Sequence, residues 1–100
     1  MNKVVLIGRL TRDVNTRHLQ KEKQVAVARY ILAIPRKCKH NNAPDFDFVN
    51  CVAYGKSAEF AQKNFFKGVR IAVVGHLQTD SYIEKDGIRV CITEIIVDEQ

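Results

Sequence analysis

Apolar and polar positions along this chain fall into short runs that mostly alternate, the signature of strands rather than helices. Val4 to Leu10 is a compact apolar run rich in β-branched residues. Gln24 to Ile34 is longer, with Val25, Val27 and Ile31 on one side of an extended strand and Ala28, Tyr30, Leu32 and Ile34 on the other. Apolar residues on both sides predict a strand buried on both faces, with Arg29 as the exception to explain. Pro35 ends it, and Arg36 to Pro44 reads as a polar loop that is basic at Arg36, Lys37 and Lys39. Phe46 to Tyr54 is the third long strand. Val69 to Tyr82 and Ile88 to Val97 form a pair around Glu84-Lys85-Asp86-Gly87, where Asp-Gly is a strong hairpin signal.

One segment departs from this pattern. Lys56 to Phe66 carries Ala58, Ala61 and Phe65 at helical spacing, with Phe60 beside them. Ser57 is placed to cap the helix, and Glu59 falls in the first turn, where the helix dipole favours an anion. Lys67-Gly68 supplies a cation and then a left-handed residue at the other end. The predicted order is therefore β-β-β-α-β-β in one domain spanning residues 1–100. That is the order of the OB-fold, an all-β, five-stranded Greek-key barrel with one short helix that often binds oligonucleotides.

The third strand bears on function. Phe46, Phe48, Asn50, Val52 and Tyr54 share one face, and Asp47, Val49, Cys51 and Ala53 share the other. The compact set Val49, Cys51 and Ala53 suits a barrel interior, which turns Phe48 and Tyr54 outward, about 20 Å apart along the strand. Exposed rings beside basic loops suit single-strand binding, because unpaired bases stack on the rings while Lys and Arg track the phosphates. The alternative is that the faces are inverted and both rings belong to the core.

Composition narrows the partner. The 100 residues are 46% hydrophobic and 27% charged, as in an ordinary globular domain. No apolar run approaches the roughly 18–20 residues of a membrane span, and Arg9 interrupts the N-terminal run before it could serve as a secretory signal. The three cysteines, Cys38, Cys51 and Cys91, cannot all pair within the chain and form no C-x-x-C. The expectation is a reduced, intracellular domain. Net charge is +5, but residues 1–39 hold ten basic and two acidic side chains (net +8), whereas residues 40–100 hold six and nine (net −3). A basic half points to a polyanion. Since it lies in strands and loops rather than in an amphipathic helix, nucleic acid is favoured over a membrane surface.

Enzymatic motifs do not survive inspection. Gly55-Lys56-Ser57 imitates the end of a phosphate-binding loop, but the glycine required five residues earlier is Asn50, inside a strand. Asp45 and Asp47 could hold a metal or serve a small nuclease, yet no third ligand is near in sequence, and a solvated turn explains them better. Cys38-x-His40 is half a metal site at most. His18 and His76 are isolated. No enzyme activity, cofactor or metal is expected.

Several segments together resemble the bacterial single-stranded DNA-binding proteins. Met1 to Leu10 followed by Thr11-Arg12-Asp13 looks like that family's opening, and Val27-Ala28-Arg29-Tyr30-Ile31-Leu32-Ala33 matches its second-strand signature. Phe48 to Glu59 is similar to its most recognisable block. Lys67-Gly68 through Val74-Gly75-His76-Leu77-Gln78-Thr79, the Asp86-Gly87 hairpin and Val90 to Val97 complete the match in the right order over essentially the whole chain. The resemblance implies an OB-fold that binds single-stranded DNA without chemistry, in a cytoplasmic, nucleoid-associated setting, typically as a homotetramer. Base-stacking positions carry over to Phe48, Tyr54 and Tyr82, and usually basic, DNA-facing positions to Lys56 and Lys67. The basic loop residues Arg36, Lys37 and Lys39, with Arg9 and Arg29, complete the expected DNA-binding set.

Departures from the family pattern are also specific. Cys38 stands where a fourth aromatic is common, so one platform is missing or weaker. Val14 replaces a usual proline, Gln20 to Gln24 lacks a usual glycine, and Asp80 and Ser81 before Tyr82 are less basic than the family commonly shows. Family members usually continue into a flexible linker and an acidic tip that recruits replication and repair proteins, whereas this sequence stops at Val97-Asp98-Glu99-Gln100. It reads either as trimmed or as a tailless relative, so tail-mediated recruitment is not expected of it. The leading expectation is sequence-tolerant binding and protection of single-stranded DNA during replication, recombination and repair. The alternative is an OB-fold accessory, like the primosomal replication proteins, that bridges replication partners. Val4, Leu6 and Ile88 are candidates for the self-association surface, with the barrel core as the alternative place for them.

Overall fold

A computed structural model describes residues 1–18, 26–37 and 45–100. Its strands are β1 (Val4–Leu10), β2 (Asn15–His18), β3 (Ala26–Pro35), β4 (Phe46–Tyr54), β5 (Arg70–Ile83) and β6 (Arg89–Glu99), with the helix α1 (Lys56–Asn64) between β4 and β5. The sheet order is β1-β5-β6-β4-β3-β2, and a further β1–β3 pairing closes it on itself. β4 and β6 run parallel, with Cys51 opposite Ile95 and Val52 opposite Ile96. The other pairings are antiparallel. The ring β1-β5-β6-β4-β3 is the five-stranded OB barrel expected from the element order.

β2 is a sixth strand that the hydrophobic pattern did not predict. β1 pairs with β3 only at Arg9 and Leu10, opposite Ala33 and Leu32. The rest of that long edge is left with unmet backbone groups, which β2 takes up from Arg29 to Ala26. The Thr11 amide donates to the Ile31 carbonyl at 3.0 Å, joining the two stretches. Gly8 permits the close approach at this seam: a β-carbon there would lie 2.7 Å from the Ala33 carbonyl oxygen.

Inside the barrel, Leu32, Val73, Cys51, Leu10, Ile71, Ile95 and Val97 pack with the small residues Ala28 and Ala53. Val4 and Leu6 pack against this cluster, so the barrel core claims two of the residues expected to serve self-association. Their outward neighbours Val5 and Ile7 are exposed instead, as is Ile88 in the hairpin.

The helix starts at Lys56, with Gly55 rather than Ser57 at its N-cap. Gly55 takes a positive φ of 63°, which lets the chain leave β4 and enter the helix within one residue. Its carbonyl accepts the Glu59 amide at 3.1 Å, and its own amide donates to the Ala26 carbonyl at 2.8 Å. Ser57 lies inside the first turn, where its carbonyl accepts the Gln100 side-chain amide. The side-chain oxygen of Gln100 accepts the Tyr30 hydroxyl at 2.7 Å, so the end of β6 ties the helix to the core. Helical geometry stops at Asn64, because Phe65 is extended and packs edge-on against Tyr30 and Phe60. Gly68 then turns the chain at φ 88°. Ala58 and Ala61 are buried as their spacing predicts, but Phe60 is exposed. Among the described residues, no helix is long and apolar enough to cross a membrane.

Candidate nucleic-acid interface

The alternation along β4 sets the site. Cys51 and Ala53 are fully inside and Val49 packs against the core, while Phe48 and Tyr54 face outward with 67% and 46% of their surface exposed. Val52 lies on the same outward face yet is completely buried. Arg29 stands directly opposite it on β3. The guanidinium donates from Nη1 to Glu94 Oε2 on β6 at 2.6 Å, and β4 runs between those two strands. The ion pair therefore lies across β4, and with Ile96 beside Val52 it shields the apolar floor from water. This accounts for Arg29 as the charged exception on β3.

β5 and β6 continue the same face. From buried Ile71, Val73 and Gly75, alternation along β5 turns Tyr82 outward, opposite Val90 of β6, with 48% of its surface exposed. A groove of about 580 Å³ is lined by residues of β3, β4, β5 and β6 and of the segment before β2, including Arg12, Arg29, Ile31, Asn50, Asp80 and Glu94. Its cations, Arg12 and Arg29, are matched by Asp13, Asp80 and Glu94. Arg12 and Asn50 were not among the expected site residues. Asn50 belongs to the outward set on β4 and was legible there. Arg12 precedes β2, which gave no signal.

The basic residues divide by what already holds them. Arg36 donates to both carboxylate oxygens of Asp47, from Nε at 3.0 Å and from Nη2 at 2.7 Å. This hydrogen bonding holds the Asp47 carboxyl below its ordinary range and raises the guanidinium further. Asp47 is thus an ion-pair partner on a strand rather than part of a solvated turn. Among the described residues, no three metal-ligating side chains gather. Arg9 donates to the Gly68 carbonyl at 3.1 Å. Lys67 donates its backbone amide to Asp13 at 2.8 Å, and its residue is exposed. Lys56 lies two residues beyond Tyr54, at the start of the helix. Lys37 joins Arg9 and Arg70 in lining a second cleft, of about 700 Å³, beside β1. Lys39, Cys38 and His40 lie outside the described residues.

Phe48, Tyr54, Tyr82 and Arg29 therefore share one face, with Lys56 at its margin, while Arg9 and Lys37 sit at the second cleft. Burial pushes the Cys51 thiol up to about 12 and raises the Tyr30 hydroxyl as well, so both stay protonated. His76 is paired with Asp98 at 3.3 Å.

Residues 1–100 match the single-strand binding protein family. The chain is 43% identical over 98 residues to a single-stranded DNA-binding protein of Clostridium perfringens, covering 98% of this chain and 63% of that protein. It is 42% identical over 99 residues to single-stranded DNA-binding protein 1 of Streptococcus pyogenes, covering 98% of this chain and 75% of that protein. It is 42% identical over 99 residues to single-stranded DNA-binding protein 3 of Clostridium acetobutylicum, covering 99% and 68%. The chain thus spans between 63% and 75% of the length of these relatives.

Proposed function

The chain belongs to the single-strand binding protein family, and from that membership we propose that it binds and protects single-stranded DNA without sequence preference or chemistry. The observation that carries the reading is one sheet face on which Phe48, Tyr54 and Tyr82 all present ring surface to water. Leaving such area exposed is unfavourable unless a partner covers it, and bases free of their complements offer matching flat faces. Lys56 serves the phosphates at the margin of that face, Lys37 and Arg9 those at the second cleft, and Lys67 is a further phosphate contact on this reading. Arg29 and Arg36 first have to share their existing carboxylate partners.

The same reading includes a location with DNA in the bacterial cytoplasm and assembly into a homotetramer. From Val4 to Gly8, β1 pairs on one side with β5 and makes no pairing with β3, leaving strand edge beside the exposed Val5 and Ile7. A second copy could extend that edge. Several stacking faces in one assembly would then raise apparent affinity through effective concentration.

Titration with oligo-dT and with a duplex of equal length, each at two salt concentrations, tests the reading. The single strand should bind much more tightly, and affinity should fall with salt as counterions are released. Lys56→Ala should shallow the salt slope by a fraction of a unit to about one. Equal affinity for single strand and duplex at moderate salt would defeat it. Sedimentation equilibrium tests assembly separately, and a mass near 11.4 kDa would mean a monomer.

A further inference from the structure

One exposed ring on the outward face belongs to none of the expected platforms. Phe46 opens β4 two residues before Phe48, hence about 6.6 Å from it along the strand, and 46% of its surface is exposed. Its cross-strand partner is Pro35, and that of Phe48 is Ala33. Pro35 is itself exposed, and Ala33 offers only a methyl group.

The backbone on both sides of Phe46 is fastened. The carbonyl of Asp45 accepts the Arg36 amide at 3.0 Å, and the carboxylate of Asp47 takes both prongs of the Arg36 guanidinium. A backbone held this way fixes where the ring is presented before any ligand arrives, which lowers the ordering cost of binding.

Its surroundings select the ligand. Phe46 lines the cleft that also holds Lys37, Arg9 and Arg70, and none of the described lining residues is acidic. The groove that Asn50 lines, by contrast, sets three carboxylates against two guanidinium groups. An apolar ring in a largely apolar cleft whose charged lining residues are all cations fits a base joined to phosphates.

We infer that Phe46 is a further base-stacking platform, with Lys37 as its phosphate partner, and that the DNA path runs beyond Phe48 onto the start of β4. This rests on the single-strand-binding reading above and extends its path.

The chain contains no tryptophan, so Phe46→Trp gives a single fluorescent reporter at the position itself. Titrated with oligo-dT, the Phe46→Trp variant should lose emission as bases stack on the indole. Phe46→Ala should weaken binding of a long oligo-dT by about 5- to 150-fold, the range spanned by loss of one base–aromatic stack. Tyr54→Ala provides the comparison, and urea unfolding of each variant corrects for any loss of fold. Unquenched indole emission from a Phe46→Trp variant that binds oligo-dT with native affinity would overturn the inference and leave the single-strand reading intact. Failure of the unaltered protein to bind oligo-dT would instead remove the reading on which the inference stands. A Phe46→Ala change that alters the sedimentation mass but not the affinity would assign the ring to contact between copies and overturn it too.

Discussion

The barrel body and the β5–β6 arm present aromatic side chains by the same strand alternation, but they support them differently. Between Phe48 and Tyr54, β4 pairs with β3 along its length and with β6 at Cys51 and Val52, and it is backed by the fully buried Leu32, Val73 and Cys51. Tyr82 stands on a hairpin where every β5 residue from Gln78 to Ile83 is exposed, and Ser81 and Cys91, paired on the opposite face, are exposed as well. The arm is held by its backbone ladder and its turn, where the Glu84 amide donates to Ile88 at 3.0 Å and Gly87 donates back to Glu84 at 2.9 Å. Orienting a side chain needs only the ladder. Fixing it rigidly needs a second layer, and only the body has one.

The largest contrast should come from the two cysteines, one in each region. With Cys38 replaced by Ser, a thiol reagent should modify exposed Cys91 readily, while Cys51 reacts only through unfolding and at least about 10³-fold more slowly. Comparable rates at pH 8 would mean that the body opens as easily as the arm. Next in size is stability. Leu32→Ala should cost about 2–5 kcal/mol in urea unfolding, whereas Ile83→Ala in the arm should stay within about 0.5 kcal/mol. Similar losses at the two positions would erase the distinction.

Binding offers a finer comparison. Tyr54→Ala should weaken oligo-dT binding by about 1–3 kcal/mol, with Tyr82→Ala near the lower end because its support is softer. A larger loss at Tyr82 would show that the arm carries the main contact. If Tyr54→Ala unfolds the protein and leaves residual affinity unchanged, that ring acts as core. The smallest effect concerns pH. Asp47 titrates below its ordinary value of 3.8 because of Arg36. Its contribution is therefore complete above that value and is lost as pH falls through the lower folded value. An NMR titration of the Asp47 carboxyl checks this, and Arg36→Ala should return it toward 3.8.

The barrel was readable because its signals are local. Alternation in Phe46 to Tyr54 and the Asp86-Gly87 turn each act within a few residues. The misses have longer reach. β2 contains only Asn15, Thr16, Arg17 and His18, and it exists because β3 outlasts its pairing with β1. Val52 is buried by an ion pair whose members lie 65 residues apart in sequence. Ser57 fits the composition of a cap, but the positive-φ Gly55 already makes the turn. The Arg36–Asp47 ion pair had no signal in the sequence because its members, 11 residues apart, meet only once β3 and β4 pair.

The Arg29–Glu94 bridge changes what a cation on this face can contribute. A solvated lysine carries no fixed partner, and its meeting with phosphate sets free the small cations condensed along the strand. Arg29 arrives with its own anion, so a phosphate drawn to it must either displace Glu94 or share the guanidinium, leaving an acid beside the new anion. That exchange weakens the net attraction, and it lessens the entropy gained from liberated ions. Glu94→Gln would remove the competitor, making binding stronger in dilute buffer and more sensitive to added salt. On the single-strand reading proposed above, the bridge acts as a governor, holding in check the electrostatic grip at the centre of the face.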